Sequence, residues 1–223
     1  MSEQAKSKQH RITIPRYTLG EELTNSISHG IGAGLGIAAL VLCIVKSAIA
    51  HDGYKLASSI VFGLTVTLLY LMSCLYHALK VNKAKRVFRV MDHCTIFLLI
   101  AGTYTPFTLV TLRGALGWSL FGIVWGVAIL GIVLNAVNLK KYAKLSVLCY
   151  LGMGWVILFA FRRLADALNP VGLYLLIAGG IAYTVGAILY AIGSKRKYFH
   201  SVFHFFCVIG TVLHFFAIYL YVL

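Results

Sequence analysis

A chain of 223 residues that is 60% hydrophobic and only 12% charged is far more apolar than the roughly 45–50% of a soluble globular domain, so water is not its main solvent. Its net charge of +14 would suggest nucleic acid in a soluble protein, but here the basic residues lie between apolar runs, where membrane topology accounts for them. No nucleic-acid partner is expected.

Seven runs contain no Asp, Glu, Lys or Arg: 23–45, 56–79, 93–112, 114–139, 145–161, 167–194 and 198–223. Each reaches the roughly 17–25 residues that a helix needs to cross the hydrocarbon core. None alternates in polarity as a barrel strand would. The expected fold is therefore all-α, a polytopic bundle of seven transmembrane helices over 23–223 preceded by a basic tail over 1–22.

The first run carries GIGAGLG at 30–36, in which Gly30 with Gly34 and Gly32 with Gly36 form two overlapping GxxxG spacings. Such spacings allow close backbone approach by another helix, either within the bundle or in a second copy of the chain as a homodimer. SAIA at 47–50 has the look of a cleavage site, but the apolar run before it is longer than a signal-peptide core and follows a long tail, so the segment is expected to be retained. The second run ends in SCLYHAL, just before Lys80; the third helix opens with MDHC, and its run contains Pro106, which is expected to bend it while nearby Thr hydroxyls satisfy freed carbonyls. The seventh opens with YFHSVFHFF.

Fifteen of the 20 Lys and Arg residues fall in the N-terminal tail and in the loops around 80–90, 140–144 and 195–197, leaving five (Lys46, Lys55, Arg113, Arg162, Arg163) on the other side. The positive-inside bias places the N-terminus in the cytoplasm and the C-terminus outside. Juxtamembrane clusters such as KVNKAKRVFR can also attract anionic headgroups, so membrane lipids are expected partners. Cys43, Cys74, Cys94, Cys149 and Cys207 lie within the apolar runs without a CxxC spacing; buried free thiols are the expectation.

With this topology, ionisable residues from several helices reach one depth near the cytoplasmic face: Glu22, Asn25 and His29, then Ser73 and His77, then Asp92 and His93, and finally His200 and His204. Ionisable groups inside a membrane are costly unless paired or functional. Four residues apart, His200 and His204 share a helix face and have the spacing with which a helix offers two imidazoles to one metal. His77 supplies a third nitrogen. Three such ligands with a fourth position open to water form a tetrahedral zinc site of the catalytic kind. Asp92 and Ser73 are the catalytic candidates, Asp92 as a general base and Ser73 as a hydrogen-bond partner of a ligand or of the water. His93, turned about 100° from Asp92, is expected to point elsewhere. Cys207 is expected to be a packing thiol, His29 a packing or supporting group, and no chemistry is assigned to His10, His51 or His214.

These residues carry a resemblance. ExxNxxxH (Glu22, Asn25, His29), SxxxH (Ser73, His77), Asp92 in MDHCTIFLLIAGTYTP, and HxxxH (His200, His204) together resemble the bacterial haemolysin III family, which belongs with the progestin and adipoQ receptors. The resemblance covers nearly the whole chain. It implies a seven-helix bundle with a cytoplasmic N-terminus, zinc held by three histidines, a location in the bacterial plasma membrane, and kinship with alkaline ceramidases.

The first functional reading is a zinc-dependent intramembrane hydrolase of a lipid amide or ester, with a ceramide or a phospholipid as substrate. The second is a receptor or membrane-state sensor with structural zinc, which needs the same ligands. A haemolytic pore-former would require a polar stripe along several helices, and few polar residues lie between the inner layer and the outer loops. A retinal protein would require a Schiff-base lysine in the last helix, which has none after Lys197.

Overall fold

The computed structural model describes residues 14–193 and 196–223. Residues 1–13 of the expected basic tail, including His10, and Lys195 of the last basic loop lie outside the described residues. Among the described residues all regular structure is helical: α1 (Leu19–Ile49), α2 (Gly53–Ala78), α3 (Lys83–Pro106), α4 (Ala115–Trp155), α5 (Phe161–Ala167), α6 (Pro170–Gly193) and α7 (Phe199–Tyr221). A π-helical turn, Phe107–Thr111, follows α3, and a 3₁₀ turn, Val156–Ala160, joins α4 to α5.

Six helical stretches are long and apolar enough to cross a membrane: Leu19–Ile49, Gly53–Ala78, Lys83–Thr111, Ala115–Ala167, Pro170–Ile192 and Phe199–Tyr221. The count differs from the expected seven because the fourth and fifth charge-free runs fall in one helical stretch. That stretch is not straight. Asn138 has non-helical dihedrals (φ −158°, ψ 85°). Ser146 Oγ donates to Asn135 Oδ1 at 2.7 Å, and Asn135 Nδ2 to the Tyr150 hydroxyl at 3.3 Å. In a continuous helix residues 11 and 15 apart would be separated by about 16 and 22 Å along the axis, so the two halves of α4 fold back on each other at Asn138.

Local sequence sets the helix ends that matter for the site. Thr18 and Glu21 form a reciprocal capping box at the start of α1, each side chain accepting from the other's backbone N–H. The second oxygen of Glu21 accepts from the backbone N–H of Tyr198 at 2.8 Å, tying the start of α1 to the residue that precedes α7. Tyr198 itself has φ +62°, a left-handed turn that L side chains seldom adopt. At the opposite end of the bundle Asp52 caps α2. The backbone N–H groups of Lys55 and Tyr54, followed by Arg113, hold its carboxyl below the usual carboxylate range.

Close backbone approach uses the glycines. A Cβ on Gly32 would lie 2.7 Å from the Tyr70 ring and one on Gly36 3.1 Å from the Thr67 backbone, so this GxxxG face packs on α2 of the same chain. Gly34 faces open space. After Pro106 the α-helix widens into the π turn, while Thr105 and Thr108 hydroxyls donate to the carbonyls of Ala101, Tyr104 and Thr105. The five cysteines are free thiols.

Candidate metal centre

The last turns of α2 and the first turns of α7 meet in an imidazole cluster. His77, His200 and His204 each offer one ring nitrogen, and the three nitrogens lie within 4.8 Å of one another. The Nε2 atoms of His77 and His200 are 3.3 Å apart and those of His200 and His204 3.1 Å apart. Tetrahedral ligation with metal–nitrogen bonds of about 2.1 Å places nitrogens about 3.4 Å apart, so the arrangement fits a single ion. His77 and His204 are buried and His200 is half-buried.

Each ring is held differently. His77 Nδ1 lies 2.6 Å from Glu22 Oε2. A carboxylate can only accept, so Nδ1 carries the proton and Nε2 presents its lone pair to the cluster. The Asn25 amide also approaches Nδ1, at the longer distance of 3.4 Å. The α7 histidines are fixed by ring stacking instead. Tyr17, just before α1, lies parallel to His200 with centroids 5.1 Å apart and an interplanar angle of 13°. His29 lies parallel to His204 at 3.6 Å and 15°. Nδ1 of His200, Nδ1 of His204 and both nitrogens of His29 are buried without a hydrogen-bond partner.

Beside the cluster lies a cavity of about 560 Å³ lined by residues of all seven described helices, α1 contributing His29. His200 and His204 line it, and so do Ser73 and Asp92. Ser73 is fully buried and its Oγ has no partner. The remaining wall is mostly aliphatic and aromatic, including Leu69, Ile96, Phe107, Leu164, Ile177 and Phe203. Every predicted site residue thus falls at the cluster or on the cavity wall. His93 also lines the cavity, contrary to expectation: the cavity is wide enough to take in residues about 100° apart on α3. Cys207 is buried on the same wall, outside the three-histidine cluster. His214 lines it as well and bonds the Leu176 carbonyl at 3.0 Å.

Sequence reasoning gave Glu22 no defined role and left out Tyr17 and Lys85. Lys85 Nζ donates to Glu22 Oε1 at 2.6 Å, completing a chain from α3 through α1 to His77 on α2. A lysine in the first turn of α3, at the helix end that disfavours cations, was a usable signal.

The fold and cluster define an integral membrane protein with a three-histidine cluster between its helices. The haemolysin-III-related family model matches residues 17–215, and the chain belongs to that family. It is 43% identical over 203 residues to hemolysin-3 of Bacillus cereus, covering 91% of this chain and 92% of the relative. It is 41% identical over 205 residues to a hemolysin-3 homolog of Bacillus subtilis, covering 92% and 96%. The human monocyte to macrophage differentiation factor is 24% identical over 192 residues, covering 82% and 79%. No solved structure matches the chain significantly.

Proposed function

We propose that the chain is a zinc-dependent intramembrane hydrolase of lipid amide or ester bonds, with a ceramide or a phospholipid as substrate. The observation that carries this reading is the meeting of the three-histidine cluster with a largely apolar cavity of about 560 Å³, within the roughly 300–1,000 Å³ typical of ligand sites. Neutral imidazoles are zinc ligands, and an ion so held supplies a nucleophile at neutral pH and polarises an approaching carbonyl. The residues of the chain divide the remaining work. Asp92 accepts the proton of the attacking water and returns it to the leaving group. Ser73 donates a hydrogen bond to the carbonyl oxygen as it becomes negative. The apolar wall holds an acyl chain and keeps bulk water from the reacting bond.

We infer seven membrane crossings, with the N-terminus cytoplasmic and the C-terminus outside. As a straight rod the 53 residues of Ala115–Ala167 would span about 80 Å, against a hydrocarbon core of about 30 Å. The fold-back at Asn138 supports two crossings there, and the basic residues support the orientation.

Zinc-loaded protein in bilayers is expected to release fatty acid from a panel of ceramides and phospholipids, and His77→Ala, His200→Ala, His204→Ala together to abolish both zinc binding and release. Zinc binding without release from any member of the panel would replace the hydrolase with the receptor or sensor reading.

A further inference from the structure

We propose that Lys85 is a positioning residue for His77, acting through Glu22; this rests on the reading that His77, His200 and His204 hold a metal ion. The Lys85 side chain is only 2% exposed, whereas lysines are almost never fully buried unless paired. It also stands in the first turn of α3, where the helix dipole opposes a positive charge. A lysine in that place is compensated by its neighbours. Nζ donates to Glu22 Oε1 at 2.6 Å and to the Leu79 carbonyl at 3.0 Å, and lies 5.1 Å from the centre of the Tyr76 ring. It therefore clamps Glu22 of α1 against the last turn of α2, the turn that carries His77.

The carboxylate divides its two oxygens between two donors: Oε1 takes Lys85, and Oε2 takes His77 Nδ1. Lys85 thereby fixes the rotation of the Glu22 carboxylate, and the carboxylate fixes the tilt of the imidazole. The Glu22 side chain is 19% exposed, so without Lys85 it can turn toward water and leave His77 unsupported. Of the three cluster histidines, the α7 pair is held by stacking and has unpartnered Nδ1 atoms. The line Lys85–Glu22–His77 is thus the one carboxylate support in the cluster among the described residues, and it joins three helices.

The test measures zinc affinity by chelator competition on the full-length purified chain, alongside melting temperature in the zinc-free state. Lys85→Met and Glu22→Gln are each expected to weaken zinc binding by about tenfold to a hundredfold, the usual effect of removing a group that supports a metal ligand. The two losses should not add, because Lys85 acts through Glu22: in the Glu22→Gln background, Lys85→Met should cause no further loss. The paired variant should recover melting temperature without recovering zinc affinity, since neutralising both partners removes the buried unpaired charge. Lys85→Gln serves in place of Met if Lys85→Met does not fold. Wild-type affinity in the Lys85 variants, additive losses, or recovery of affinity together with melting temperature would reduce the pair to a structural strut and overturn the proposal. A wild-type chain that binds no zinc would instead remove the metal reading on which the proposal stands.

Discussion

Asn135 and Tyr150, fifteen residues apart on either side of the kink at Asn138 in α4, share a side-chain hydrogen bond of 3.3 Å. Tyr150 also donates to the His93 carbonyl at 2.8 Å, so the fold-back in α4 is fastened to the same part of α3 that presents Asp92 to the cavity. In a variant freed of native cysteines, a cysteine placed at Asn138 should react with a membrane-impermeant thiol reagent from the same side as one at Arg16 and from the opposite side to one at His51. Labelling of positions 16 and 138 from different sides would exclude the seven-crossing topology.

The approach of α3 to α2 is limited by Gly102, where an added Cβ would lie 1.9 Å from Thr65 Oγ1. Gly102→Ala should destabilise the protein by about 1–3 kcal/mol, the usual cost of overfilling a packed interior. Thr65→Ala in the same chain should return part of that loss, because it removes the obstructing hydroxyl. The check is a double-mutant cycle by thermal melting in detergent.

His29 is held by stacking on His204 and by edge contact with Tyr70 at 4.9 Å, while both its ring nitrogens are buried without partners. His29→Phe keeps an aromatic face and removes two unsatisfied polar atoms. It should therefore preserve zinc content and hold or raise the melting temperature. Loss of zinc in this variant would assign His29 a direct part in the metal centre.

Asp92 and Ser73 line the cavity without belonging to the three-nitrogen cluster. Asp92→Asn should keep zinc content near wild type and lower lipid turnover by about a hundredfold to ten-thousandfold, the range for loss of general acid–base help. Ser73→Ala should lower turnover as well, by about a hundredfold to a thousandfold, the usual cost of losing one oxyanion donor, and it should also leave zinc in place. Zinc analysis beside fatty-acid release separates these roles from metal ligation. Stripping the metal with a chelator should abolish release in the wild type, and adding zinc back should restore it.

The runs free of charge marked every long helix because hydrocarbon excludes unpaired ions from such segments. The depth of the histidines was legible for the same reason: once the ends of a run are fixed, 1.5 Å per residue fixes the level of each side chain. What depth alone does not contain is the rotation of one helix against another. The line from Lys85 through Glu22 to His77 depends on the facing of three helices, and Tyr17 reaches His200 from outside any apolar run. The sharpness of the reversal between the fourth and fifth charge-free runs also escaped, because Asn138 turns the chain with a single non-helical residue and no proline or glycine beside it. The glycine pattern in α1 was readable as a contact face, while its partner on α2 was not.

His77 leaves the ribosome 123 residues before His200, and α7, which brings the second and third imidazoles, is made after the six other described helices. A nascent chain that has inserted all its earlier helices still presents only one nitrogen of the trio. If the trio holds an ion, its capture waits for α7, and the ion would act as a late clasp between the second helix and α7. Chains truncated before His200 should remain in the membrane as metal-free, more readily degraded species, which would make metal content a report on assembly as well as on the site itself.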